Sequence, residues 1–149
     1  MTMENTEISK LDTFAGAVAR LLDVPQPKLI PVSRLLTDTQ IGAYDRQEHA
    51  IYIRQSAEPL DVLFCIAHEI RHVWQAQQGW PFADKSIPGS CADEYNQHPA
   101  EIDANAFAQL VMVSAFSVQP LFSGLSPETK MLINKRVSEI MKGEFTDDK

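Results

Sequence analysis

Residues 66–74, Ile66-Ala67-His68-Glu69-Ile70-Arg71-His72-Val73-Trp74, decide how this chain is read. Leu60, Leu63, Phe64, Ala67, Ile70, Val73 and Trp74 recur at helical spacing with no Gly or Pro among them, which predicts an amphipathic helix. On a helix, side chains four apart stand one turn above each other on one face. His68 and His72 can therefore aim two imidazole nitrogens at one point. A metal ion is what such a point would hold. Glu69 lies about 100° round the helix from His68 at ~3.6 residues per turn, near enough to hold a water at that metal without displacing it. Five residues thus offer two ligands and a general base. The competing reading is two surface histidines on an ordinary helix, and a third ligand elsewhere in the chain would separate the two.

Working outward, Ser56-Ala57-Glu58-Pro59 supplies a cap and a first-turn proline, so the motif helix is expected from near Glu58 to Gln78, with Gly79 as its stop. Upstream, Ile41-Gly42-Ala43-Tyr44, the polar residues 45–48 and Ala50-Ile51-Tyr52-Ile53-Arg54 predict a hairpin, with His49 solvated in its turn. Leu29-Ile30-Pro31-Val32 is a short strand that Pro31 confines to an edge. Ile8, Leu11, Phe14, Ala15, Val18, Leu21 and Leu22 predict a first helix, with Asn5 or Thr6 as N-cap and Val24-Pro25-Gln26-Pro27 as terminator. Downstream, residues 80–97 have no period and hold Pro81, Pro88 and Gly89, the longest irregular stretch. Pro99 opens another helix, which ends at Gln119-Pro120. Ser126-Pro127-Glu128 starts the last one, closed by Gly143, and residues 144–149 are expected to fray. These elements predict one α+β domain over residues 1–149: a small, mostly antiparallel sheet packed on about four helices. If the strand Ala50–Ile53 edges the site, it would hold an extended peptide by backbone pairing.

Composition narrows the function. The formal net charge is −7 and the pI is near 5.0, without the clustered Lys and Arg that phosphate neutralisation needs, so nucleic acid is not the expected partner. No run of about eighteen apolar residues occurs and Met1-Thr2-Met3-Glu4 lacks a cationic leader, so a cytoplasmic protein away from membranes is expected. Cys65 and Cys91 are too few for a disulfide scaffold and form no CxxC. Cys65, three before His68, is expected as a buried small thiol and not as a ligand. Cys91, in the 80–97 loop, could occupy an open metal position as a latency device, though the plainer expectation is a loop thiol with no part in the site.

A catalytic zinc takes three protein ligands and leaves a position for water, which turns attention to Pro99-Ala100-Glu101-Ile102-Asp103-Ala104-Asn105-Ala106-Phe107-Ala108. Glu101 and Asn105 are four apart on one face with Ala104, Ala108 and Met112, whereas Asp103 points to roughly the opposite side at about 100° per residue. Glu101 is the candidate third ligand, and the Asn105 side-chain carbonyl could orient a ligating imidazole. The plainer role for Glu101 is a first-turn acid facing the helix dipole. His98 and Tyr95, just before this helix, are candidates for hydrogen bonding an oxyanion, or else for capping the helix and packing on it.

With these residues in place, the sequence resembles the gluzincin metallopeptidases, in which HExxH on one helix is completed by a Glu on a later helix. Within them it looks most like the small ImmA/IrrE-like group. The resemblance rests on the strand Ala50 to Ile53, on Phe64-Cys65-Ile66-Ala67-His68-Glu69 and on Glu101-x-x-Ala104-Asn105-x-Phe107-Ala108, roughly residues 41–112. Family members commonly carry Gly before the second His, where this chain has Arg71. Their later helix usually ends in a Leu-Leu-Met-Pro-like run, replaced here by Leu110-Val111-Met112-Val113. Residues 75–78 offer no third His, which excludes the HExxHxxGxxH pattern. The resemblance implies a zincin-like fold, one Zn²⁺ on His68, His72 and Glu101, Glu69 as general base, and a peptide or protein substrate, often a regulatory protein. A non-catalytic zinc-binding module that acts by docking to a partner is the alternative.

Overall fold

A computed structural model of the chain describes residues 5–33, 35, 41–81, 95–122 and 124–143. Among them are four α-helices and a small mixed sheet, an α+β architecture. The chain divides into two compact units, Met1–Trp74 and Gln75–Lys149. Cys91, most of the 80–97 loop and the tail 144–149 lie outside the described residues.

In the first unit, α1 (Asn5–Leu22) presents Ala15, Val18, Ala19 and Leu22 as its buried stripe. Its end is written in the backbone: Asp23 takes the left-handed conformation (φ 56°), and the Val24 N–H reaches back to the Ala19 carbonyl at 3.0 Å. Asn5 is the first residue of the helix instead of its cap. The strands are β1 (Lys28–Val32), β2 (Gly42–Asp45) and β3 (Ala50–Arg54), in the order β1-β3-β2. Pro31 does sit on an edge strand, since among the described residues β1 pairs only with β3.

Two expectations about the sheet change. The β1–β3 pairing is parallel and the β2–β3 pairing antiparallel, so the sheet is mixed. The hairpin fixes β3 antiparallel to β2, but alternation within a strand carries no information on which neighbour β1 will choose. The idea that β3 offers an edge to an extended substrate is overturned by the same order, because both its sides are already paired. Ile51 and Ile53 of this middle strand are buried, at 0% and 1% exposure.

His49, in the turn at φ 49°, is tied down where solvation was expected. Its Nε2–H donates to the Pro25 carbonyl at 3.1 Å and its Nδ1 lies 2.7 Å from the Tyr44 hydroxyl. A carbonyl only accepts, so Nε2 carries the proton, and in the neutral ring the hydroxyl donates to Nδ1. Burial raises the Tyr44 phenol above its ordinary range. Arg46 pulls it down and Asp45 pushes it up.

The motif helix is α2 (Pro59–Gln77), close to its expected bounds, with Val62, Ile66, Ala67 and Ile70 buried. Its first half comes against β2 at Gly42, where an added Cβ would stand 2.6 Å from Cys65 Sγ and 2.8 Å from the Tyr52 carbonyl oxygen. Cys65 is half-buried and acts there as a packing residue. Gly42→Ala should therefore destabilise the protein by about 1–3 kcal/mol, the usual cost of overpacking. Urea unfolding checks this, and Cys65→Ala in the same chain should recover only part of the loss, since the Tyr52 carbonyl is backbone. An unchanged midpoint for Gly42→Ala would refute the account.

The second unit starts inside the last turn of α2. Gly79 (φ 82°) stops that helix, and the Trp80 N–H returns to the Gln75 carbonyl at 2.9 Å. α3 (Pro99–Phe116) and α4 (Pro127–Gly143) pack on one another. The His98 imidazole caps α3, its Nδ1 accepting from the Ala100 N–H at 3.1 Å. Ser126 Oγ caps α4 through the Thr129 N–H at 3.2 Å. α3 is buried on all sides over its first three turns, including Glu101 and Asp103, which one apolar face did not foretell.

Candidate metal centre

The helical spacing that brings His68 and His72 together is realised within α2. Their Nε2 atoms are 3.1 Å apart and their rings meet nearly edge to face, with centroids 4.7 Å apart at 83°. Two metal–nitrogen bonds of about 2.0–2.1 Å meeting near 100° span that distance, so the pair has the bite of a chelate. Both histidines are half-buried, and Phe64 lies beside His68 at 6.2 Å between ring centroids. Glu69 is 7% exposed, and its Oε2 is 4.0 Å from His68 Nε2. That places a carboxylate next to the nitrogen pair without joining it, the position the helical angle predicts.

Glu101 lies in the first turn of α3 and is 4% exposed. One donor atom each from His68, His72 and Glu101 fall within 4.8 Å of one another. Two imidazole nitrogens and a carboxylate oxygen are a donor set that suits a divalent transition-metal ion of borderline hardness. The residues present thus fit a metal ion.

Other predicted residues take different places. Asp103 is fully buried and engaged: Oδ2 accepts from Gln75 Nε2 and Oδ1 from Arg136 Nε, each at 2.8 Å. His98 has a structural task as the α3 cap, and Tyr95 contributes its carbonyl to the His98 N–H at 3.1 Å. Asn105 stands one turn after Glu101, half-buried. Arg71, inside the motif, is fully buried with its guanidinium 3.7 Å over the Trp74 ring.

Sequence reasoning passed over Gln75, which is 1% exposed and donates to both Ala100 O and Asp103 Oδ2 at 2.8 Å. A signal was available. Gln75 follows His68 by seven and His72 by three, so it continues the motif face one turn further, where an apolar residue would be the ordinary choice.

The family whose model matches residues 6–115 is described as "Putative metallopeptidase family (DUF6782)". The chain belongs to this family. The matched region runs from α1 to the last turn of α3 and so takes in the sheet, the HExxH helix and Glu101. No curated protein and no solved structure matches the chain. Membership in this metallopeptidase family implies metal-dependent hydrolysis of peptide bonds, and the His68, His72 and Glu101 cluster could hold a metal ion. Among the described residues, no helix is long and apolar enough to cross a membrane.

Proposed function

We propose that this protein is a zinc metallopeptidase of the gluzincin type, in which His68, His72 and Glu101 hold one Zn²⁺ and Glu69 is the general base. The observation that carries the reading is the 3.1 Å separation of His68 and His72 Nε2, with a Glu101 donor atom in the same 4.8 Å cluster. When bound, the ion supplies a Lewis acid that brings the pKa of water to about 7 and polarises a carbonyl. The remaining chemistry belongs to the chain. Glu69 orients the attacking water and takes a proton from it as the oxygen bonds to the peptide carbon. Its carboxyl then gives that proton to the departing amine nitrogen as the C–N bond breaks. The low exposure of Glu69 keeps it close to the reacting groups and partly screened from bulk water.

The substrate in this reading is a peptide or protein, a regulatory protein as in the ImmA/IrrE-like group that the sequence resembles, and the place of action is the cytoplasm. Zinc reconstitution followed by mass spectrometry under native conditions tests the premise. One zinc per chain is expected, and His72→Ala should abolish it. A parent chain that takes up no metal would refute the reading.

A further inference from the structure

We infer that Gln75 is a positioning residue for Glu101, acting from the last turn of the HExxH helix with Asp103 and Arg136 behind it; this rests on the reading of Glu101 as a metal ligand. Both bonds of its Nε2 land on residues that bracket Glu101 in sequence. One goes to the carbonyl of Ala100, which is the acyl half of the peptide bond to Glu101, and the other to Oδ2 of Asp103, two residues on. Both are 2.8 Å, and Gln75, Ala100 and Asp103 are each 0–1% exposed.

Gln75 is itself fixed. Its backbone carbonyl accepts from the Gln78 N–H at 3.1 Å and the Trp80 N–H at 2.9 Å, which closes α2 around it. On the far side Asp103 is held by Arg136 Nε at 2.8 Å, and the Arg136 Nη1 reaches Glu139 at 3.2 Å. The result is a hydrogen-bonded chain running from α2 through α3 to α4.

Polar satisfaction alone does not account for this arrangement. A carbonyl in the first turn of a helix already receives the N–H four residues on, so the Ala100 oxygen uses its second lone pair for Gln75. An apolar residue of similar volume at position 75 would be buried at less cost. What an amide adds is two directional bonds of fixed length, and they set the first turn of α3 against the last turn of α2. A metal site needs its donors held to within about 0.5 Å, and groups behind the ligands commonly govern affinity by about 10–100-fold.

The test uses the full-length chain, with zinc affinity measured by competition against a chromophoric chelator and the visible spectrum of the cobalt-substituted protein as second readout. Gln75→Leu should weaken zinc binding about 10–100-fold and alter the cobalt absorption, because the Glu101 donor is no longer held in place. Glu139→Gln, which removes the negative charge opposite Arg136 Nη1 but leaves the Gln75 bonds, should stay within about twofold. A purely structural role would lower the melting temperature of Gln75→Leu while leaving its zinc affinity and cobalt spectrum at parental values below that temperature, and this result overturns the inference. An equal loss of affinity in Glu139→Gln overturns it too. If Gln75→Leu does not fold, Gln75→Asn decides on the same two readouts, since it keeps a buried amide one methylene too short to make both bonds. His72→Ala runs alongside. If it binds zinc as the parent does, the metal-site reading itself has failed; if it loses zinc while the Gln75 variants do not, only the positioning role has.

Discussion

Replacing Glu69 with Gln should leave zinc bound and remove most of the hydrolysis, about 10²–10⁴-fold, the range assigned to a positioned general base. Gln has the shape of Glu, so a side chain with 7% residue exposure is replaced without a cavity. It differs in the one property the reaction needs, because an amide does not take up a proton near neutral pH. The carboxylate Oε2 is 4.0 Å from His68 Nε2, beside the nitrogen pair, so zinc affinity should remain within a few-fold of the parent. A mixture of peptides digested by parent and variant, with products identified by mass spectrometry and zinc content measured in parallel, separates the outcomes. Cleavage at the parental rate would remove Glu69 from the mechanism. Loss of zinc together with activity would make it a ligand instead. The experiment also separates a peptidase from a module that works by docking, since docking would survive the change.

The elements that read well from sequence are those specified by neighbours in the chain. α1, the β2–β3 hairpin and α2 follow from periodicity, from the prolines at 25, 27 and 59 and from the glycine at 79, all of which act over a few residues. The His68/His72 pair is legible for the same reason, because i and i+4 on one helix must meet. What stayed hidden depends on distant partners. The parallel β1–β3 pairing needs the strand order, and the anchoring of His49 needs the carbonyl of Pro25, 24 residues away. Helical angle set Asp103 on the side away from Glu101, and its burial could not be seen without Gln75 and Arg136, 28 and 33 residues from it. Buried polar residues are the least legible class. Their sequence signal, a polar letter on an apolar face, has the same form as that of a surface residue until the partner is known.

Two acids two residues apart on α3 should therefore fail in different ways. Glu101→Ala should weaken zinc binding about a hundredfold or more, because apparent zinc-site energies of about 10–16 kcal/mol are shared among three or four ligands. Its effect on the metal-free fold should be small by comparison. Asp103→Ala should do the reverse. It strips the carboxylate from a fully buried site where Gln75 Nε2 and Arg136 Nε both lose an acceptor, and breaking a buried pair costs about 3–5 kcal/mol. Arg136 retains 24% side-chain exposure and can turn toward water, which puts the expected loss at the lower end of that range. Zinc affinity should stay within about tenfold in this variant, since the Gln75 bond to the Ala100 carbonyl survives and still tethers the first turn of α3. Paired zinc titrations and urea unfolding of the metal-free proteins give the two coordinates for each variant. A larger affinity loss for Asp103→Ala than for Glu101→Ala, measured where both are folded, would transfer the ligand role to Asp103.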